Sequence, residues 1–196
     1  MTEQAKSIKR EVFEWIKALL IALVVVVLIR WLAFNPFIVD GESMQPNFHN
    51  GEKMIVNKLI YEFRQPKRGE VIVFLAPEGK DYIKRVIGLP GERVMVKQDE
   101  VLINGQPIAE PYIQDELDLA AAEDRYYNNR MFANTEEVTV PKDSLFVLGD
   151  NRSFSKDSRF PDVGFVPLDK VVGRADLVYW PLVDFHFVNH KQEVKP

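Results

Sequence analysis

Val101-Leu102-Ile103-Asn104-Gly105-Gln106-Pro107-Ile108 is the stretch whose reading decides the class of fold. An Asn-Gly pair between two apolar runs accepts positive φ at both central positions, as a two-residue hairpin turn requires. The same pattern extends outward in both directions. Short runs rich in β-branched and aromatic residues occupy 54–61, 71–75, 82–87, 93–97, 145–148 and 171–180, punctuated by 12 prolines and 10 glycines. Outside the N-terminus only residues 115–124 carry a helical period. The expectation is a mostly β, barrel-like domain covering residues 35–196.

The first 40 residues follow a different rule. Lys6, Lys9, Arg10 and Lys17 precede residues 18–29, which hold no polar side chain. Twelve residues fall short of a membrane span of about 20. Residues 15–34 supply 20 positions in which only Lys17 and Arg30 are charged. Trp15 and Trp31 stand near the two ends, where an aromatic belt sits. No small-x-small site follows the apolar run, which argues against a cleaved secretory signal. Four consecutive valines at 24–27, with apolar residues on every face, argue against a buried soluble helix. A single transmembrane anchor is therefore expected at 15–34, with residues 1–14 as a cytoplasmic tail. The excess of Lys and Arg before the anchor places the rest of the chain outside the cytoplasm.

Composition narrows the chemistry. The chain has 196 residues, 46% hydrophobic and 28% charged, which is a globular balance. With 25 Lys and Arg against 29 Asp and Glu, the net charge is −4, and no basic footprint for nucleic acid exists. The absence of cysteine removes disulfides, thiol nucleophiles and thiolate metal sites. Only His49, His186 and His190 could offer imidazole, so no metal or cofactor is expected. Hydrolytic chemistry would have to use hydroxyls, lysines or carboxylates. Residues 99–137 hold ten Asp and Glu against Arg125 and Arg130, a net charge of −8. That segment reads as a solvated acidic excursion, with an inserted lobe at about 108–137.

Three stretches could carry chemistry. Gly41-Glu42-Ser43-Met44-Gln45-Pro46 places a serine in a turn just after the anchor. In Tyr82-Ile83-Lys84-Arg85-Val86-Ile87-Gly88-Leu89-Pro90-Gly91-Glu92, strand alternation puts Lys84 on one face with Tyr82 and Val86, and Arg85 on the other. A lysine sharing a face with apolar neighbours is unusual for a surface position. Gly149-Asp150-Asn151-Arg152-Ser153-Phe154-Ser155-Lys156-Asp157-Ser158-Arg159 is dense in hydrogen-bonding groups and follows an apolar strand.

Taken together, and in this order behind an anchor, the three stretches resemble the bacterial type I signal peptidases, in the single-anchor form common in Gram-positive bacteria. The resemblance runs from the anchor to about Trp180. It implies a serine–lysine protease that removes signal peptides from secreted preproteins at the outer face of the cytoplasmic membrane, through an acyl-enzyme. It implies Ser43 as nucleophile and Lys84 as general base. Ser155 would be the second hydroxyl orienting the lysine amine. Arg85, Asp150, Asp157 and Arg159 would form an ion-pair frame, with Tyr82 beside the base. The substrate would lie extended against strand edges, with small side chains at the first and third positions before the cut.

Physical chemistry agrees with those roles. A free lysine has a pKa near 10.4, so about 1 in 2,500 is neutral at pH 7. Burial against apolar atoms lowers that value. The oxyanion needs N–H donors, and the Ser43 backbone N–H is the natural one. Departures from the family pattern are small. Gly41 stands where some relatives carry a serine hydroxyl that helps hold the oxyanion, so that side-chain donor is missing. Asn47 replaces a usual Thr, Glu92 a usual Asp, and Ser153 and Phe154 a usual acidic residue and Asn. The competing readings are a catalytically silent, membrane-tethered β-domain that binds extracytoplasmic partners, a self-cleaving serine–lysine repressor, and a metal-dependent hydrolase.

Overall fold

In the computed structural model, residues 2–128 and 134–190 are described, and the side chains of 2–10 and 28–35 lie outside that description. Helix α1 spans Thr2–Ala33 and runs straight into strand β1, Phe34–Ile38. The strands that follow are β2 (Lys53–Asn57), β3 (Val71–Leu75), β4 (Asp81–Gly88), β5 (Arg93–Lys97), β6 (Glu100–Ile103), β7 (Gln106–Pro107), β8 (Val138–Thr139), β9 (Ser144–Leu148), β10 (Val166–Pro167), β11 (Val171–Trp180) and β12 (His186–Phe187). A one-turn helix α2 (Ile60–Phe63) and a longer α3 (Gln114–Ala122) interrupt them.

The strands form two sheets. The larger runs β1-β2-β11-β3-β4-β9-β10, with β12 beside β11, and the smaller runs β7-β6-β5-β8. The expected barrel is corrected here, because the large sheet does not close on itself. Its end strands explain why: β10 is two residues long and ends in Pro167, and β1 carries Pro36. Proline has no N–H to offer a further strand, so both edges are blunt. The Asn104-Gly105 hairpin forms as its sequence dictates, with φ of 53° and 80° and Ile103 facing Gln106 across the turn. The strand expected at 54–61 is shorter. It stops at Asn57, whose Oδ1 accepts the Ile60 N–H at 3.3 Å and turns the chain into α2.

Alternation builds the core. In β5, Val94 and Val96 are buried, and in β6, Val101 and Ile103. These four meet Ile87, Phe146 and Leu148 and so join the small sheet to the large one. On the same face of the large sheet, Val56, Val71, Val73, Ala175 and Val178 pack with Met44 and Phe48 from the loop after β1, since Val71 pairs with Arg85 and Arg85 with Leu148. Ile72, Phe74, Val86 and Val147 form the cluster on the other face.

Among the described residues, no helix is long and apolar enough to cross a membrane. In α1 the side chains from 11 to 27 are all exposed, valines and leucines included. Glu11, Glu14 and Lys17 precede an apolar run whose described part, 18–27, is about half the length a span needs. The side chains of 28–34, which complete the expected anchor, lie outside the described residues, as do 129–133 of the acidic excursion.

Strand β11 is the hinge of the large sheet, pairing with β2 along one half and β3 along the other. At Gly173 an added Cβ would stand 2.6 Å from the Asn57 carbonyl oxygen and 2.8 Å from Val56 Cγ1. Gly173→Ala is expected to destabilise the domain by about 1–3 kcal/mol, as overpacking does. The check is a lower urea midpoint with an unchanged slope.

Candidate active site

Three local structures bring the site together. The first is the loop after β1. Met44 and Phe48 are buried in the core, and the Phe48 N–H donates to the Met44 carbonyl, so the turn holding Ser43 is pinned from below. The second is β4. Its Lys84 faces Ile72 across to β3, while on its other edge pairing with β9 begins only at Arg85. Residues 81–84 therefore present an open edge. The third is the loop after β9, whose Asn151 N–H donates to the Ser43 carbonyl at 3.1 Å. Asn151 Nδ2 donates to the Glu42 carbonyl at the same distance.

Lys84 is 3% exposed. Its Nζ donates to Ser43 Oγ at 2.7 Å and to the Ile83 carbonyl at 2.8 Å, and lies 5.3 Å from the Tyr82 ring centre. Burial lowers the Lys84 pKa to about 8. Asp157 and Asp150 pull against that shift, and Arg159 adds to it. At that value about one lysine in ten is neutral at pH 7. Ser43 and Lys84 sit in a cleft of about 370 Å³ that Phe37, Met54, Val73, Tyr82, Ile83 and Phe154 help to line.

Behind the cleft stands a frame of buried ion pairs. Arg85 Nε and Nη2 donate to the two carboxylate oxygens of Asp150 at 2.8 and 2.6 Å. Asp157 takes Arg159 at 2.8 and 2.9 Å, and its Oδ2 also accepts the Gly149 N–H at 3.0 Å. Arg159, the neighbouring backbone and Ser155 hold the Asp157 carboxyl below its usual range against its own burial. Gly149 is required by close approach. A Cβ there would lie 2.1 Å from Ser155 Oγ and 2.4 Å from the Ser43 carbonyl oxygen.

The structure thus brings Ser43, Lys84 and Tyr82 into one cleft and pairs Arg85 with Asp150 and Arg159 with Asp157. Ser155 is buried beside them, yet its Oγ has no well-aligned hydrogen-bond partner among the described residues and makes no bond to Lys84. Gly41 lines the cleft, and its N–H donates to Asn50 Oδ1 at 2.9 Å. Among the described residues the Ser43 N–H has no partner. No group of three or more His, Asp or Glu among the described residues is arranged to hold a metal ion.

Sequence reasoning missed a third ion pair. Arg152 and Glu110 are buried against each other through two hydrogen bonds, and Tyr112 Oη takes another from the same arginine at 3.0 Å. Tyr112 also lies 3.9 Å from the Arg85 guanidinium. Asn47 Nδ2 bridges Asp150 and the Tyr112 carbonyl, both at 2.9 Å. The reading of 99–137 as wholly solvated is therefore corrected. Glu110 is 4% exposed, and the Asp99 carboxylate accepts the Tyr127 and Asn128 N–H groups at 3.0 and 2.8 Å. The available signal was the arginine of Gly149-Asp150-Asn151-Arg152, which needs a carboxylate if the loop is buried.

Residues 12–180 match the protein family described as signal peptidase, peptidase S26. Signal peptidase I P of Bacillus subtilis subsp. natto is 39% identical over 183 residues, covering 93% of this chain and 96% of its own. Signal peptidase IB of Staphylococcus aureus (strain MRSA252) is 34% identical over 194 residues, covering 95% and 99%. A solved signal peptidase I from Enterococcus faecalis aligns with 57% of this chain and 97% of its own at 36% identity and a TM-score of 0.43.

Two stability measurements check this geometry. Glu110→Ala, which strands a buried arginine, is expected to cost about 3–5 kcal/mol, whereas exposed Glu123→Ala stays within about 0.5 kcal/mol. Lys84→Met removes a buried ammonium whose folded pKa lies below its unfolded one. Its cost is fully present below pH 8 and fades towards pH 10.5. The variant is expected to be more stable at pH 7 by about 3 kcal/mol, with the gain shrinking as pH rises from 8 to 10.5. Urea titrations at pH 7 and 10 read both.

Proposed function

The chain belongs to the peptidase S26 family of signal peptidases, and on that premise we propose that it removes signal peptides as a serine endopeptidase, with Ser43 as nucleophile and Lys84 as general base. The observation that carries this is the 2.7 Å contact between Ser43 Oγ and a buried Lys84 Nζ at the floor of an open cleft. When Lys84 is neutral, its lone pair takes the Ser43 proton as Oγ attacks the scissile carbonyl. The resulting ammonium gives that proton to the leaving amine. An acyl-enzyme remains, and a water deprotonated by Lys84 hydrolyses it.

The tetrahedral oxyanion takes the Ser43 N–H. Gly41 adds no hydroxyl, so this donor is a backbone one. In the resting site the Ile83 carbonyl orients Nζ. Ser155 is the second hydroxyl, replacing Ser43 Oγ as the partner of Nζ once Ser43 is acylated. The preprotein lies extended against the open edge of β4 at 81–84, supported by the absence of a β9 partner there. Small side chains at the first and third positions before the cut face Met54, Val73 and Ile83.

The exposed apolar side chains of α1 support a bilayer as the helix's surroundings. Residues 15–34 form the anchor, 1–14 the cytoplasmic tail and 35–196 the extracytoplasmic domain, with the acidic insertion at about 108–137. A membrane-held enzyme meets a membrane-held signal peptide at one depth, which raises effective concentration.

Cleavage of a preprotein in detergent tests the chemistry. Ser43→Ala and Lys84→Ala are each expected to lose at least about a thousandfold in kcat/KM while staying folded. In the wild type, kcat/KM is expected to rise with pH through about 8, as the Lys84 ammonium loses its proton. Full turnover by either variant, or a profile flat from pH 6 to 9, would remove the lysine–serine assignment.

A further inference from the structure

We propose that Phe154 sets specificity by packing against the side chain of the second substrate residue before the cut, the one between the two small residues, and favours an apolar side chain there. This rests on the peptidase reading above. Phe154 replaces the asparagine usual at this place in the third motif, and its ring is 76% exposed although it lines the cleft of Ser43 and Lys84. An aromatic ring left in water beside a reactive serine is free to cover part of a bound peptide.

The backbone that carries the ring is held in place. The Phe154 N–H donates to the Asn151 carbonyl at 3.1 Å, and Asn151 is bonded in turn to the backbone of Glu42 and Ser43. Ser155 and Asp157 on the same loop are buried. Lys156 is paired with Glu78, whose carboxylate also accepts the Tyr82 hydroxyl at 3.0 Å, so the loop is tied to the β4 side of the cleft.

Alternation supplies the position. In an extended peptide, successive side chains point to opposite sides. With the first and third turned to the apolar floor of Met54, Val73 and Ile83, the second turns to the open side. Phe154 is a cleft-lining residue that the fold leaves exposed, whereas Met54 and Val73 are buried. Ile38 on β1 is the other exposed apolar residue of the cleft and serves as the control.

The experiment uses the full chain in detergent and a preprotein set with Gly, Leu or Asp at the second position before the cut. A parallel set varies the first residue after the cut. Wild type is expected to cut the Leu substrate about fivefold faster in kcat/KM than the Gly one. Phe154→Ala is expected to bring that ratio close to one, and Phe154→Leu to retain most of it. Ratios in the parallel set are expected not to move. The proposal is overturned if Phe154→Ala keeps the ratio, if the change falls on the residue after the cut, or if Ile38→Ala rather than Phe154→Ala removes the preference. No cutting of any substrate by wild type would overturn the peptidase reading as well.

Discussion

A lysine ammonium in a dry place is the constraint around which the rest of the site is arranged. Buried Lys84 needs surroundings apolar enough to bring its pKa down to about 8, yet Asp150 and Asp157 are close enough to oppose that shift. The opposing carboxylates are each matched by an arginine, Arg85 on one and Arg159 on the other. Each pair is close to neutral at the distance of Nζ. Removing either arginine would leave a bare carboxylate whose field favours the ammonium and suppresses the base. The ion pairs thus serve the lysine's neutrality rather than a net charge in the site.

Such a frame is costly to bury and needs cover. Isolated ion pairs in a low dielectric do not recover their desolvation unless further hydrogen bonds complete them. Here the completion comes from the acidic excursion. Glu110 pairs with Arg152, Tyr112 lies on Arg85, Tyr127 Oη donates to the Asp150 carbonyl at 3.0 Å, and Asn128 Oδ1 accepts from Arg159 at 3.0 Å. The excursion therefore covers the ion pairs from the side away from the cleft-lining residues. Arg159 Nη2, which donates to the Arg152 carbonyl at 3.0 Å, links the second and third pairs directly.

Much of this was legible in the sequence. Asn104-Gly105 announced its hairpin because its conformational demand is local. Lys84 and Arg85 announced opposite faces because strand alternation is local too. The family resemblance implied an ion-pair frame of Arg85, Asp150, Asp157 and Arg159, and the structure shows which arginine pairs with which carboxylate. What escaped were groups whose meaning depends on distant partners. Glu110 looked like one acid among ten, and only its 42-residue contact with Arg152 distinguishes it from exposed Glu123. Asn47 looked like a neutral replacement and turned out to bridge Asp150 and Tyr112. The barrel failed for a reason written in the chain, prolines on short end strands, but only the strand order shows that those are the ends.

The sequence by itself determined the chemistry available: no thiols, three histidines, a serine in a turn, and a lysine on an apolar strand face. Residue type and short-range periodicity are properties of the chain before it folds. Tertiary structure alone decided which groups meet. The 2.7 Å contact of Ser43 and Lys84, the unpaired β4 edge, the burial of Glu110 and the exposure of Phe154 all depend on packing between segments 40 or more residues apart or on the ending of a partner strand. A lysine's pKa is set by the solvent excluded around it, and exclusion of solvent is a property of the assembled fold.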